Sequence, residues 1–199
     1  MINNQTDKGV LFIISAPSGA GKTTLCRYVR ERFTDMVYSI SYTTRALRPG
    51  DVEGADYYFI TKDEFERGIL NSQWAEWAEV HGNYYGTSAT FLDRILNKGG
   101  KVLLDIDVQG SQQILKCHPQ AVTIFIMPPS LDELRSRLQN RASDSPEIIA
   151  KRIKNAILEM EMRHQYRHII VNDRLNDAVE RLLSVIERYY TDTISVFPR

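Results

Sequence analysis

A chain of 199 residues, 43% hydrophobic and 25% charged, fits one globular domain with room for lid-like insertions, which excludes disordered and fibrous classes. Its 25 Lys plus Arg balance 25 Asp plus Glu, so no global field is available to hold nucleic acid or an anionic membrane, and any polyanion has to be bound locally. Cys26 and Cys117 lie far apart and outside any C-x-x-C pair, which argues against a disulfide framework or a zinc site and suits a reducing cytoplasm.

The start of the chain is polar, and the apolar run Val10 to Ile14 is too short for a signal-peptide core or a membrane span, so a soluble cytoplasmic protein is expected. That run reads as a strand buried on both faces. Leu25, Val29 and Phe33 recur at spacing four and predict a helix from Lys22 to Phe33. Val37 to Ser41 reads as a second strand, Thr43 to Asp56 as a Gly/Pro/Arg-rich loop, and Tyr57 to Ile60 as extended chain. Thr61 and Glu64 have the spacing of a capping box for a helix to about Leu70. Trp74 to Val80 and Asn83 to Thr87 form a hairpin around Gly82, and Ser88 caps a helix that stops at Gly99-Gly100.

Lys101 to Asp107 is an apolar strand ending in two acids, and Ala121 to Met127 repeats the pattern. Ser130 with Glu133 makes a second capping box, with Leu131, Leu134 and Leu138 as the buried stripe. After a polar break at Ala142 to Ser145, Ser145 and Pro146 start a helix whose inner face is Ile149, Ile153, Ile157 and Met160. His168 to Asn172 is a last strand, and a helix from about Asn176 to Tyr190 turns Ala178, Leu182, Val185 and Ile186 inward. Strands alternating with helices give an α/β fold with a central parallel sheet flanked by helices, whose ligands bind at the carboxyl ends of the strands. The stretch of short strands after Ser39 breaks that rhythm and reads as an inserted substrate subdomain.

Between the first strand and helix lies Ala16-Pro17-Ser18-Gly19-Ala20-Gly21-Lys22-Thr23, followed by Thr24. This is the context a Walker A loop needs. Backbone N–H groups at a helix N-terminus cradle phosphates, Lys22 adds a mobile charge, and Thr23 is placed to ligate Mg²⁺. Ala16 departs from the usual Gly, which a negative φ tolerates. Asp105 and Asp107, two apart in a strand, share a face, which brings one of them to the Mg²⁺ water shell or leaves both to cap the following helix. The expected metal set is Thr23 with Asp105, partly through water, with Asp107 as the alternative acid. His81, His118, His164 and His168 show no ligand spacing.

Ser41-Tyr-Thr-Thr-Arg45, Arg48-Pro-Gly, Gly54-Ala-Asp-Tyr57-Tyr-Phe, Asn83-Tyr-Tyr85-Gly, Leu104-Asp-Ile-Asp107-Val-Gln-Gly and Ile170-Val-Asn172-Asp together resemble the guanylate kinase family, over nearly the whole chain. The resemblance implies the P-loop nucleoside monophosphate kinase fold, in one domain. Its core covers about 8–38, 88–134 and 160–191, its GMP-binding subdomain about 39–87 and its helical lid about 135–159. It also implies ATP and GMP or dGMP as ligands, with no nucleic-acid or membrane partner. Arg45, Arg48, Tyr57 and Tyr85 would hold the GMP phosphate, while Ser41, Glu76, Thr87 and Asp107 read guanine. Forked arginine donors suit phosphate oxygens. A Glu76 carboxylate matches the paired N–H donors of guanine, and a site built on such bonds rejects adenine by up to about 10⁴ to 10⁵.

Arg137 and Arg141, four apart, share a helix face. With Arg152 they match lid arginines that close over ATP and steady the transferring group, together with Lys22 and Arg45, while Arg135 belongs to a solvated face. Asn172 matches a position that contacts adenine, or else is a turn residue before the last helix. ATP and GMP together bring about six negative charges, so catalysis is expected from positioning and cations, with no general base and no covalent intermediate. Two other readings remain beside this one: a small P-loop kinase acting on a ribose bisphosphate or another nucleotide, and a non-catalytic guanylate-kinase-like scaffold. The tail from Thr191 to Arg199 either pairs with another copy in a homo-oligomer or trails in solvent.

Overall fold

In the computed structural model of the chain, residues 9–80, 82–139 and 146–191 are described. In chain order the first elements are β1 (Val10–Ser15), α1 (Lys22–Arg32), β2 (Val37–Tyr38), β3 (Tyr42–Thr43), β4 (Tyr58–Phe59), α2 (Lys62–Leu70), β5 (Trp74–Val80), β6 (Asn83–Ser88) and α3 (Ala89–Leu96). They are followed by β7 (Lys101–Asp105), α4 (Val108–Cys117), β8 (Val122–Met127), α5 (Leu131–Gln139), α6 (Pro146–Glu161), a 3-10 turn at Met162–Gln165, β9 (His168–Val171) and α7 (Leu175–Thr191). The fold is α/β, and β1 with β8, β8 with β9 and β2 with β7 all pair in parallel. The described residues fall into two compact units.

The unit made of Phe12–Asp35, Asp105–Val108 and the described residues from Val122 onward carries the phosphate-loop sequence. In β1, Phe12, Ile13 and Ile14 are fully buried, as a strand covered on both faces requires. β8 runs beside it, with Phe12 opposite Val122 and Ser15 opposite Phe125. α7 buries Ala178, Leu182, Val185 and Ile186, as their spacing predicts, and packs along α1, whose Leu25 and Val29 are buried.

Leu134 and Leu138 of α5 meet Ala156 of α6, with Ile149 and Ile153 against them. Leu131 and Ile157 depart from the expected stripes: they are 43% and 38% exposed. The α6 stripe runs through Ile149, Ile153, Ala156 and Met160, so Ile157 falls just off it, and Leu131 lies in a first turn that faces solvent. The second capping box is only half built. Ser130 Oγ accepts from the Glu133 N–H at 3.1 Å, but the Glu133 carboxylate turns to Arg137. The expected Ser145 cap and the break before it lie outside the described residues.

The other unit comprises Met36–Leu104, Gln109–Ala121 and the short stretch ending at Leu11. The strand expected over Val37 to Ser41 stops at Tyr38, and a second short strand that the sequence did not predict follows at Tyr42–Thr43, because the two serve different partners. Val37 and Tyr38 pair with Val102 and Leu103 of β7, whereas Tyr42 and Thr43 pair with Gly86 and Tyr85 of β6 and with β4. The second sheet is ordered β4-β3-β6-β5.

Both halves of the Thr61–Glu64 capping box are present, at 3.2 and 2.8 Å, and set α2 on this sheet. Phe65 stacks on Trp74 and Tyr84, with centroids 4.5 and 5.1 Å apart. Gly68 permits that approach, since a Cβ there would come within 2.7 Å of the Trp74 indole. On the outer strand β5, the Gln113 side chain of α4 donates to the Trp77 carbonyl at 2.7 Å and accepts from the Trp77 N–H at 3.2 Å.

Candidate active site

The phosphate-loop sequence forms a tight turn, with the Ala20 N–H on Pro17 O at 3.1 Å. Gly19 and Gly21 adopt φ of +92° and +93°, a region that side chains strain to enter. A Cβ on Gly19 would lie 3.0 Å from both Leu134 and Leu138, so the loop rests directly on α5. Ser72 alone among the described non-glycine residues has a positive φ, so Ala16 stands in place of Gly without left-handed strain. α1 has Gly21 as its N-cap, no side-chain cap and no acid in its first turn. Its unpaired N–H groups and positive end are therefore left for an anion.

Lys22 Nζ sits 2.6 Å from Asp105 Oδ1 and donates to Ile106 O at 3.3 Å. Burial by itself would lower the pKa of this amine, but the charge and hydrogen bond of Asp105, with Asp107 adding, outweigh it and hold the ammonium above its ordinary value. Thr23 is exposed and Thr24 half-buried at the start of α1. The shared-face argument for the two acids does not hold. β7 ends at Asp105, and Ile106 and Asp107 are irregular backbone before α4, where the Asp107 carbonyl accepts from Ser15 Oγ at 3.4 Å. Both carboxylates nevertheless act on Lys22.

Arg137 Nε meets Glu133 at 2.8 Å and its Nη2 donates to Asn172 O at 3.1 Å. Asn172 is 6% exposed; its side-chain amide donates to Ala20 O at 2.8 Å, and its backbone N–H to Met127 O at 2.8 Å. Arg152 is half-buried on α6. Arg141 lies outside the described residues.

Sequence reasoning missed Glu159, seven positions after Arg152 and so on the same face of α6. Its carboxylate accepts from the Ser18 N–H, and burial first, then the Asp107 charge, push its pKa up to about 7 against the pull of Lys22 and that hydrogen bond. The i, i+7 spacing from Arg152 was the available signal.

In the other unit the structure brings Arg45, Tyr57 and Tyr85 together. The Arg45 guanidinium lies 5.3 Å from the Tyr57 ring and 5.5 Å from Phe59, and the Tyr57 and Tyr85 rings meet edge-on at 5.7 Å. Asp51 Oδ2 accepts from Arg45 Nη1 at 2.9 Å and from the Arg48 N–H at 2.7 Å, which folds the arginine loop on itself. That hydrogen bond raises the Arg45 pKa, and the same contacts lower that of Asp51. The Arg48 side chain stays exposed.

Glu76, 4% exposed, stands opposite Thr87 across β5 and β6, and Thr87 Oγ1 donates to Glu76 Oε1 at 2.7 Å. Thr87 is two residues from Tyr85 and shares its face of β6. Ser41 precedes β3, with its carbonyl on the Tyr58 N–H at 2.9 Å. This unit thus places the Arg45 cation and two phenols in one cluster and a buried acceptor in another, while the first unit offers an anion cradle with its own ammonium.

Among the described residues no three His, Cys, Asp or Glu side chains converge as metal ligands, and no helix is long and apolar enough to cross a membrane. The guanylate kinase family model matches residues 8–189. The guanylate kinase of Geobacter sulfurreducens is 52% identical over 179 residues, covering 90% of this chain and 88% of that protein. That of Oceanobacillus iheyensis is 44% identical over 181 residues, covering 91% and 88%. The crystal structure of guanylate kinase from Anaplasma phagocytophilum matches with a TM-score of 0.74 at 34% identity, over 92% of this chain and 87% of that one.

Proposed function

The chain belongs to the guanylate kinase family, and on that premise we propose that it moves the γ-phosphoryl group of ATP onto the 5′-phosphate of GMP or dGMP in the cytoplasm. The observation that carries the choice of acceptor is the buried Glu76 carboxylate, held by Thr87 on the sheet that also bears Tyr85, with Arg45 in the bend two residues past β3. A carboxylate taken out of water demands donors, and the ring N–H and exocyclic amine of guanine supply two side by side.

On this reading the segment 39–87 is the GMP-binding subdomain, 135–159 the lid, and 8–38, 88–134 and 160–191 the core. Arg45, Arg48, Tyr57 and Tyr85 bind the acceptor phosphate, and Ser41, Glu76, Thr87 and Asp107 read the base. Backbone N–H groups over Ala16 to Thr24 hold the donor phosphates. Lys22 turns part of its hydrogen bonding from Asp105 toward them, and Arg137, Arg141 and Arg152 supply lid charge where it develops in the transition state. The acceptor phosphate, with a second pKa near 6, is already an ionised nucleophile, so no side chain has to remove a proton. Catalysis is alignment and charge compensation in a closed site.

Mg²⁺ fits the residues present. The Thr23 hydroxyl and Asp105 carboxylate are hard oxygen donors, and one or two such groups suit an ion that arrives with nucleotide phosphates. Thr23 and Asp105 would hold it, and it would supply positive charge to offset that of the donor's phosphates. An assay for ADP release with GMP, dGMP, AMP, UMP and dTMP in turn tests the whole reading. GMP and dGMP dominate, and comparable turnover of AMP overturns it.

A further inference from the structure

Asn172 is fixed on every side that the structure describes. Its backbone N–H is held by Met127 O and its carbonyl by Arg137, and its side-chain amide donates to Ala20 O at 2.8 Å, 152 positions away in the chain. The amide also lies against the Gly21 Cα, where a Cβ would collide with Nδ2. The Ala20–Gly21 peptide is trans, so its carbonyl and its N–H point in opposite directions. A donor that fixes the Ala20 carbonyl therefore also fixes the direction of the Gly21 N–H, in the turn that opens α1.

We infer that Asn172 is a positioning residue for the phosphate cradle, orienting the Ala20–Gly21 peptide so that the loop's N–H groups face the donor's phosphates. Through its own carbonyl it also anchors Arg137, so one residue sets both the cradle and a lid-side cation against each other. On this inference its side chain acts on the donor through the phosphates rather than through the adenine base. This inference rests on the donor reading given above, and it deepens that reading.

Calorimetric titration with inorganic tripolyphosphate, which has phosphates and no base, separates the two roles. In Asn172→Asp a carboxylate oxygen opposes the Ala20 carbonyl, and in Asn172→Ala the donor is gone. The expected result is a loss of about tenfold or more in affinity for tripolyphosphate, with the same factor for ATP and with GMP binding unchanged. Retained GMP binding also reports that the variants fold. Asn172→Ser, which keeps a shorter donor, should recover part of the loss, and it stands in where the aspartate variant does not fold.

An ATP-specific loss with tripolyphosphate binding intact would make Asn172 a base contact and overturn the inference, as would no loss for either ligand. Failure of the wild-type protein to phosphorylate GMP would defeat the functional reading alone, because tripolyphosphate binding tests the cradle without turnover.

Discussion

The Lys22 ammonium lies 2.6 Å from the Asp105 carboxylate, with the two side chains only 23% and 13% exposed. A charge held this way is ready before the donor arrives, since its partner has already offset much of the cost of burial. Lys22→Ala should lower kcat for GMP phosphorylation by about 10² to 10³. A GMP titration should show that acceptor affinity survives. Undiminished turnover without Lys22 would remove the loop from the chemistry.

The Glu76–Thr87 pair makes a graded prediction. Glu76→Gln replaces one acceptor with a donor against the guanine edge, and kcat/KM for GMP should fall by about 10² or more. Thr87→Val keeps shape and removes the donor that orients Glu76, with a loss of about tenfold. Steady-state rates with GMP varied at saturating ATP separate the two, and KM for ATP should move in neither.

Glu159 links the donor side to pH. Its carboxyl rises from the ordinary 4.5 to about 7, because burial and Asp107 disfavour the charged form. The folded protein then holds this proton when the unfolded chain has lost it, so stability falls as pH rises from about 4.5 to 7 and stays lower above that. Glu159→Gln should raise the thermal midpoint relative to wild type at pH 8 and leave the difference near zero at pH 4. A lower midpoint for the variant at pH 8 would show that the Ser18 contact outweighs the repulsion.

Thr61→Ala serves as a contrast because it touches stability alone. Losing the hydroxyl that caps α2 should cost about 1 kcal/mol, or roughly 2–4 °C in a chain of this size. Thermal melts check the first part, and unchanged kcat/KM for both substrates checks the second.

The elements legible in the sequence are those whose burial follows one period. β1 is apolar from Val10 to Ile14, and α7 repeats Ala178, Leu182, Val185 and Ile186 at helical spacing. α4 was legible only as a helix following the two acids, because its buried face includes Gly110 and Ser111 and interrupts the apolar count. The split between β2 and β3 is a matter of partners, which local pattern does not encode.

The glycines of the loop and the pairing of Thr61 with Glu64 carry their chemistry in local spacing. Glu159, in contrast, acquires its altered acidity from Ser18, Lys22 and Asp107, which meet it only after folding. The same holds for Asn172, whose partner Ala20 is at the far end of the chain.

Gln113 has a consequence for solubility. β5 is the outer strand of its sheet, a position where exposed backbone invites a neighbouring molecule to add a strand of its own. At Trp77, midway along that border, a side-chain amide already engages both backbone groups in the manner of a one-residue false strand. An incoming peptide therefore meets a blocked rung at the centre of the ladder, two residues from the exposed charge of Glu79, and the rim is protected against edge-to-edge aggregation without a proline in the strand itself.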